Sequence, residues 1–160
     1  MGADLRLIVA VLKIAHMLER IGDYARNAAK RGIVLAQQPA LGSLNGFQRM
    51  AHLVQENLQG AIDALVQGDA ARADEVWAAD EPVDQIYNGI FREMLTHMME
   101  DPRNITAATH LLFMAKNLER IGDHATNIAE TVHFAVRGEA LEEERPKADT
   151  SAYAVVRPQE

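Results

Sequence analysis

The segment Leu118-Glu-Arg-Ile-Gly-Asp123-His-Ala-Thr-Asn127-Ile-Ala129 decides the reading of this chain, because it occurs twice. One hundred residues earlier the sequence runs Leu18-Glu-Arg-Ile-Gly-Asp23-Tyr-Ala-Arg-Asn27-Ala-Ala29, identical at nine of the twelve positions. An internal repeat of this kind marks duplicated architecture. Apolar residues around the second copy fall at Leu111, Met114, Leu118, Ile121, Ala125, Ile128 and Val132, in steps that alternate three and four. Around the first copy they fall at Leu7, Val11, Ile14, Leu18, Ile21, Ala25 and Ala28. This spacing puts each set on one stripe of a helix. Glu119, Asp123 and Asn127 step by four along a different face, and Glu19, Asp23 and Asn27 repeat that placement. Two carboxylates at i and i+4 repel by about 0.2–0.5 kcal/mol. The same repelling pair on two helices suggests that a cation lies there.

Working outward, the flanking sequence reads as further helices. The first runs from about Ala3 to Ala36, and Pro39 with Gly42-Ser43 breaks the chain after it. The second runs from about Leu44 to Gln67 on a stripe of Phe47, Ala51, Val54, Leu58, Ala61 and Leu65. Gly68 ends it, and Asp69 is placed to cap the next. The third runs from about Ala70 to Glu100, with Pro82 kinking or restarting it. Asp80 is an acid on its otherwise apolar seam. Asn104 is the expected N-cap of the fourth helix, which runs to about Arg137 with Gly138 as its stop. Residues 139–160 hold six acids against three bases, two prolines and no sustained period, and read as a mobile acidic tail.

The expected fold is therefore all-α: an antiparallel helical bundle of four long helices. Residues 44–138 form a complete three-helix repeat ending in the motif. Residues 3–36 are then the last helix of an incomplete first repeat, whose other two helices belong upstream. The stripe of that first helix must pack on helices two to four or on a second copy of the chain, since an uncovered stripe would be an exposed apolar patch. A homodimer is the corresponding expectation.

Composition bounds the function. A net charge of −7 argues against a sequence-independent nucleic-acid binder. The absence of cysteine removes disulfides, thiolate zinc sites and thiol nucleophiles. No apolar run reaches the length of a membrane span, and the start carries no secretory pattern. A cytoplasmic location is expected, with any membrane contact made through partners.

The doubled Leu-Glu-Arg-Ile-Gly-Asp-x-Ala-x-Asn-x-Ala motif, closing each of two units, resembles the PhoU family of phosphate-transport and phosphate-signalling regulators. Asp80-Glu-Pro-Val-Asp84-Gln-Ile-Tyr87 is similar to the acidic segment which that family carries on the middle helix of each unit. Asp4-Leu-Arg6 and Lys13-Ile-Ala15 resemble the approach to its first motif. The resemblance covers nearly all of residues 3–138. It implies metal ligands at Glu119, Asp123 and Asn127 on the fourth helix and at Asp80 and Asp84 on the third. Glu19, Asp23 and Asn27 would be half of a second site, whose facing acids are missing from this chain. It also implies a negative regulator linking a phosphate ABC transporter ATPase subunit to a sensor histidine kinase.

Each site residue has a plainer reading. Asp80 serves equally as an N-cap ahead of Glu81-Pro82 or as a ligand. From spacing alone Glu119 and Asp123 make a solvated face neutralised by Arg120 or Arg20; the duplication and the resemblance favour ligation. Gly22 and Gly122, mid-helix at up to about 1 kcal/mol each, fit tight helix packing better than a site. Oxygen donors without thiolates suit Mg²⁺, Ca²⁺, Mn²⁺ or iron, with zinc an option. A ferritin-like di-iron centre needs two Glu-x-x-His motifs, and Glu130-x-x-His133 supplies one. No nucleophile, phosphate loop or triad is evident, so a regulatory adaptor is preferred to an enzyme. The alternatives are a metal-dependent phosphoester-binding or hydrolysing enzyme and a plain helical dimerisation module.

Overall fold

Glycine stops two of the helices where the apolar periods run out. Gly68 and Gly138 adopt left-handed backbone (φ 64° and 83°), a conformation that costs a residue with a Cβ more than it costs glycine. The turn at Gly68 lets the Asp69 N–H reach the Ala64 carbonyl at 2.9 Å, and the Gly138 N–H reaches Phe134 O at 2.9 Å. The computed structural model describes residues 2–141 and 147–157. Its helices are α1 (Gly2–Leu35), α2 (Asn45–Gln67), α3 (Ala70–Ala78), α4 (Glu81–Glu100) and α5 (Ile105–Arg137), with single 3-10 turns at Pro102–Asn104 and Ser151–Tyr153. No strand occurs among the described residues.

The third expected helix is two helices. Pro82 has no N–H to give the carbonyl of Ala78, and α3 ends at Ala78. Ala79 and Asp80 form the joint, and α4 restarts with proline in its first turn. Of the two readings open for Asp80 the cap is not used, and the expected cap at Asn104 changes. The Asp80 side chain makes no cap hydrogen bond, because it turns inward. Asn104 makes none either; its amide donates instead to His97 O at 3.1 Å. Asp101 caps the short turn, accepting the Arg103 N–H at 2.9 Å. Asp69 does cap α3, accepting the Arg72 N–H at 3.1 Å. Asp69→Ala is expected to cost about 1 kcal/mol, read as a lower denaturant midpoint at unchanged slope.

α5 is the central element, packing against α1, α2, α3 and α4. Its inner surface is rich in alanine, with Ala108, Ala115, Ala125 and Ala129 fully buried, so neighbouring axes come close. Met50, Val54, Met94, Ile128 and Val132 fill the space between helices. Burying each contributes about 1.5–3 kcal/mol. α4 runs antiparallel to α5: Val83 lies against Gly122, and Asp80 is bonded to Thr126.

α1 lies along another side of α5, also antiparallel. Arg6 sits beside Gly138, Tyr24 stacks on His124 with centroids 5.6 Å apart, and Arg31 covers the Phe113 ring at 4.2 Å. Together with the hundred-residue offset of the repeat, this register makes the two motif copies cross near Gly22 and Gly122. The two helices are thus related by a local two-fold axis, with Ile21 and Ile121 both buried beside it. The expected α1 stripe is only partly used. Ile14 and Ile21 are buried, with Ala10 beside the stripe, whereas Leu7, Val11, Leu18 and Ala25 remain exposed. Leu5, Ile8 and Leu12 are more open still, at 63%, 58% and 68%. The cause is that α1 packs chiefly on α5. At the matching positions of α5, Ala107, Ala108 and Leu111 are buried and Leu112 and Leu118 half-buried, with Ile105 exposed at the helix end, because α2, α3 and α4 pack on that helix as well.

Candidate functional site

Four of the expected ligands meet between α4 and α5. Asp80 stands at the α3–α4 joint and Asp84 one turn into α4; their backbones are helical or nearly so (φ −74°, ψ −37° at Asp80), so both side chains leave the same face. Glu119 and Asp123 are likewise one turn apart on α5. Asp80, Asp84 and Glu119 are 1%, 2% and 5% exposed, and Asp123 is half-buried. Burial of three carboxylates is unusual, since taking a charge from water is unfavourable unless it is paired.

Several partners lie among the described residues. The single Thr126 hydroxyl proton is shared between Asp80 Oδ1 at 3.2 Å and the Gly122 carbonyl at 3.1 Å. Asp84 Oδ2 accepts the Ala148 N–H at 2.8 Å. Lys116 Nζ lies 2.9 Å from Glu119 Oε2 and 3.3 Å from Asp149 Oδ2, and 4.9 Å over the Tyr87 ring. The contact to Glu119 is an ion pair rather than a well-angled hydrogen bond, so this buried oxygen has a charge beside it and no hydrogen bond among the described residues. Lys147 Nζ stands 3.7 Å from Asp123 Oδ1.

The electrostatics follow. Burial pushes the Asp84 carboxyl above its ordinary value; the Ala148 N–H pulls it back, and Asp80, Asp123 and Asp149 push it up again. Burial likewise raises Glu119, with Lys116 opposing and Asp123 and Asp149 adding repulsion. Lys116 is pulled down by burial, but Glu119, Tyr87 and Asp149 hold it above its usual value overall. In both acids burial and neighbouring negative charge outweigh the groups that oppose them.

The remaining expected residues lie elsewhere. Asn127 is half-buried one turn beyond Asp123. Glu19 and Asn27 are exposed on α1, and Asp23 is half-exposed and paired with Arg26 at 3.4 Å. His133 of the lone Glu-x-x-His motif is taken by Asp74 at 2.6 Å, and His124 is stacked on Tyr24. Sequence reasoning missed Lys116, Thr126, Asn88 and the tail residues at the site. Only Lys116 carried a signal: it precedes Glu119 by three, a spacing that brings side chains together on a helix.

The donor set fits a hard or borderline divalent cation: carboxylate oxygens, several of them buried, from two rigid helices. Positively polarised groups already occupy its face, as an ion would. As the side chains lie, no three His, Asp or Glu residues among those described close on one ion.

Fold and site together define an all-α protein built on a repeated helical motif, with a carboxylate face on its second copy. Residues 1–32 and 47–132 match the PhoU domain. The chain belongs to the PhoU domain family. It is 55% identical over 150 residues to a Caulobacter vibrioides protein named phosphate-specific transport system accessory protein PhoU homolog, a match covering 93% of this chain and 65% of that relative. A Rhizobium meliloti protein of the same name is 46% identical over 153 residues, covering 95% and 65%. The crystal structure of PhoU from Pseudomonas aeruginosa superposes with a TM-score of 0.83 at 41% identity, covering 87% of this chain and 67% of that one. The chain thus spans about 65% of the length of these curated relatives. Among the described residues, no helix is long and apolar enough to cross a membrane.

Proposed function

We propose that this chain acts as an accessory regulator of phosphate transport, a helical adaptor whose carboxylate face holds a divalent cation. Asp80, Asp84, Glu119 and Asp123, with Asn127 beside them, hold the ion; Glu19, Asp23 and Asn27 are a weaker second set. The reading is carried by the convergence of Asp80, Asp84, Glu119 and Asp123 where α4 meets α5, three of them buried. Such a cluster gains stability from an ion that binds the folded state alone. Iron, manganese, magnesium and zinc all suit its oxygen donors. The ion would supply fixed positive charge and a rigid shape for docking, and the names of the relatives favour a regulatory over a catalytic role. The names of the relatives support a place beside a phosphate transport system. The adaptor works in the cytoplasm as a homodimer. It represses phosphate-starvation signalling by joining the transporter's ATPase subunit to a sensor histidine kinase.

Elemental analysis of protein purified without chelator tests the site. Wild type is expected to carry near-stoichiometric metal and Glu119→Gln/Asp123→Asn at least tenfold less; equal content in both would remove the site. Capture of the ATPase subunit and kinase by metal-loaded protein, without turnover of phosphoesters, is the expected outcome for the adaptor. Metal-dependent hydrolysis lost in Asp123→Asn would overturn it in favour of an enzyme.

A further inference from the structure

We propose that the segment from Lys147 to Ser151 is a strap that competes with the cation for the carboxylate face. The inference rests on the cation reading above and adds its regulation. The segment is held mainly through its backbone, by two α4 side chains one turn apart. Asn88 grips it on both edges: its amide donates to Ala148 O at 2.6 Å, and its Oδ1 accepts the Thr150 N–H at 3.1 Å. Asp84 Oδ2 accepts the Ala148 N–H, just ahead of these two contacts along the chain, at 2.8 Å.

The strap also delivers charge. Lys147 brings its ammonium to Asp123, while Asp149 turns to Lys116 and is steadied by the Ser151 N–H at 2.9 Å. Asp84 and Asp123, one acid from each helix, are therefore engaged by positive or positively polarised groups of a single short segment. A lone pair on Asp84 that accepts the Ala148 N–H is not available to an ion. A cation drawing Asp84 and Asp123 together also repels the Lys147 ammonium. Strap and ion compete for Asp84 and Asp123, and each lowers the apparent affinity of the other.

The exposed Lys147 pair, with its ammonium side chain 56% open to solvent, contributes little by itself. Asn88 is the main hold, and it lies outside the proposed ligand set. Asn88→Ala therefore loosens the strap and leaves the donors unchanged. Ala148→Pro, which removes the N–H given to Asp84, is the second variant. Circular dichroism establishes that both fold.

Chelator-treated wild type and variants are titrated with Mn²⁺ by calorimetry, and hydrogen exchange at the Ala148 and Thr150 amides is followed with and without the ion. Both variants are expected to bind Mn²⁺ about tenfold more tightly, as for a site open roughly a tenth of the time in wild type. Mn²⁺ is expected to speed exchange at both amides in wild type. Equal affinity in all three proteins, with exchange unmoved by bound Mn²⁺, overturns the strap and leaves the cation site standing. No Mn²⁺ binding by any of them removes the cation site and the competition together.

Discussion

Changed to leucine, the two copies of one motif glycine respond in opposite senses: Gly22→Leu raises the unfolding midpoint and Gly122→Leu lowers it. Their sequence neighbours are nearly identical, so the difference comes from tertiary surroundings. A Cβ built on Gly22 meets nothing within 4 Å. Replacing a mid-helix glycine there gains up to about 0.8 kcal/mol of helix propensity. A Cβ on Gly122 already touches Val54 and Val83, at 3.4 Å each. The three further carbons of leucine have no room between α2 and α4, and overpacking of this kind costs about 1–3 kcal/mol, more than the propensity gain. For a chain of this size 1 kcal/mol moves the midpoint by about 2–4 °C, so the two variants separate by several degrees. Calorimetry on dilute, chelator-treated protein reads the difference. Shifts of the same sign would mean that the two motif helices have equivalent surroundings, contrary to the packing described.

The carboxylate face predicts an inverted response to pH. Asp84 and Glu119 are held above their ordinary values by burial first and by neighbouring acids second. The folded chain therefore binds these protons more tightly than the unfolded chain. Stability from these two groups falls as pH rises from the usual carboxylate range, about pH 4, through their raised folded values. Asp149 acts in the opposite sense: burial pushes it up, but Ser151 and Lys116 together hold it below its ordinary value. Its contribution is present above the usual range and is lost only at lower pH. In chelator, then, wild type is expected to lose stability as pH rises above about 4 relative to Asp84→Asn/Glu119→Gln. Mn²⁺ at a hundredfold excess over its dissociation constant should restore about 2.7 kcal/mol to wild type at neutral pH and nothing to the double variant. Parallel pH profiles for the two proteins in chelator would contradict the assignment of strain to these acids.

The features legible in the sequence were those set by local rules. The repeat, the helical periods, the glycine stops at Gly68 and Gly138 and the cap at Asp69 each depend on a few neighbouring residues. The meeting of Asp80 and Asp84 with Glu119 and Asp123 was legible because spacing fixed each pair to one face and an antiparallel α4–α5 hairpin needed only the short turn at 101–104. What the local rules missed depends on distant parts of the chain. Local rules leave Asp80 open between a cap ahead of Pro82 and an inward ligand; its burial and its bond to Thr126 across the bundle decide for the inward position. Leu7, Val11 and Leu18 have the period of a buried stripe, but periodicity does not say how many neighbours a helix has. The tail has no period at all, and residues 147–151 are positioned by their own backbone groups against Asn88 and Asp84. Its residues 142–146 and 158–160 lie outside the described part of the chain.

The two-fold relation between α1 and α5 bears on how large a body the chain can engage. A rotation that exchanges two antiparallel rods has its axis perpendicular to the plane holding both, so it leaves each feature at the same height above that plane. Glu19-Asp23-Asn27 and Glu119-Asp123-Asn127 therefore open toward one broad side of the molecule, on either flank of the crossing point. A small ion seated by α4 touches one triplet. A flat protein surface laid across both rods would meet the two together, and would distinguish the flank where Lys116 and Lys147 stand beside the acids from the flank where Asp23 pairs with Arg26.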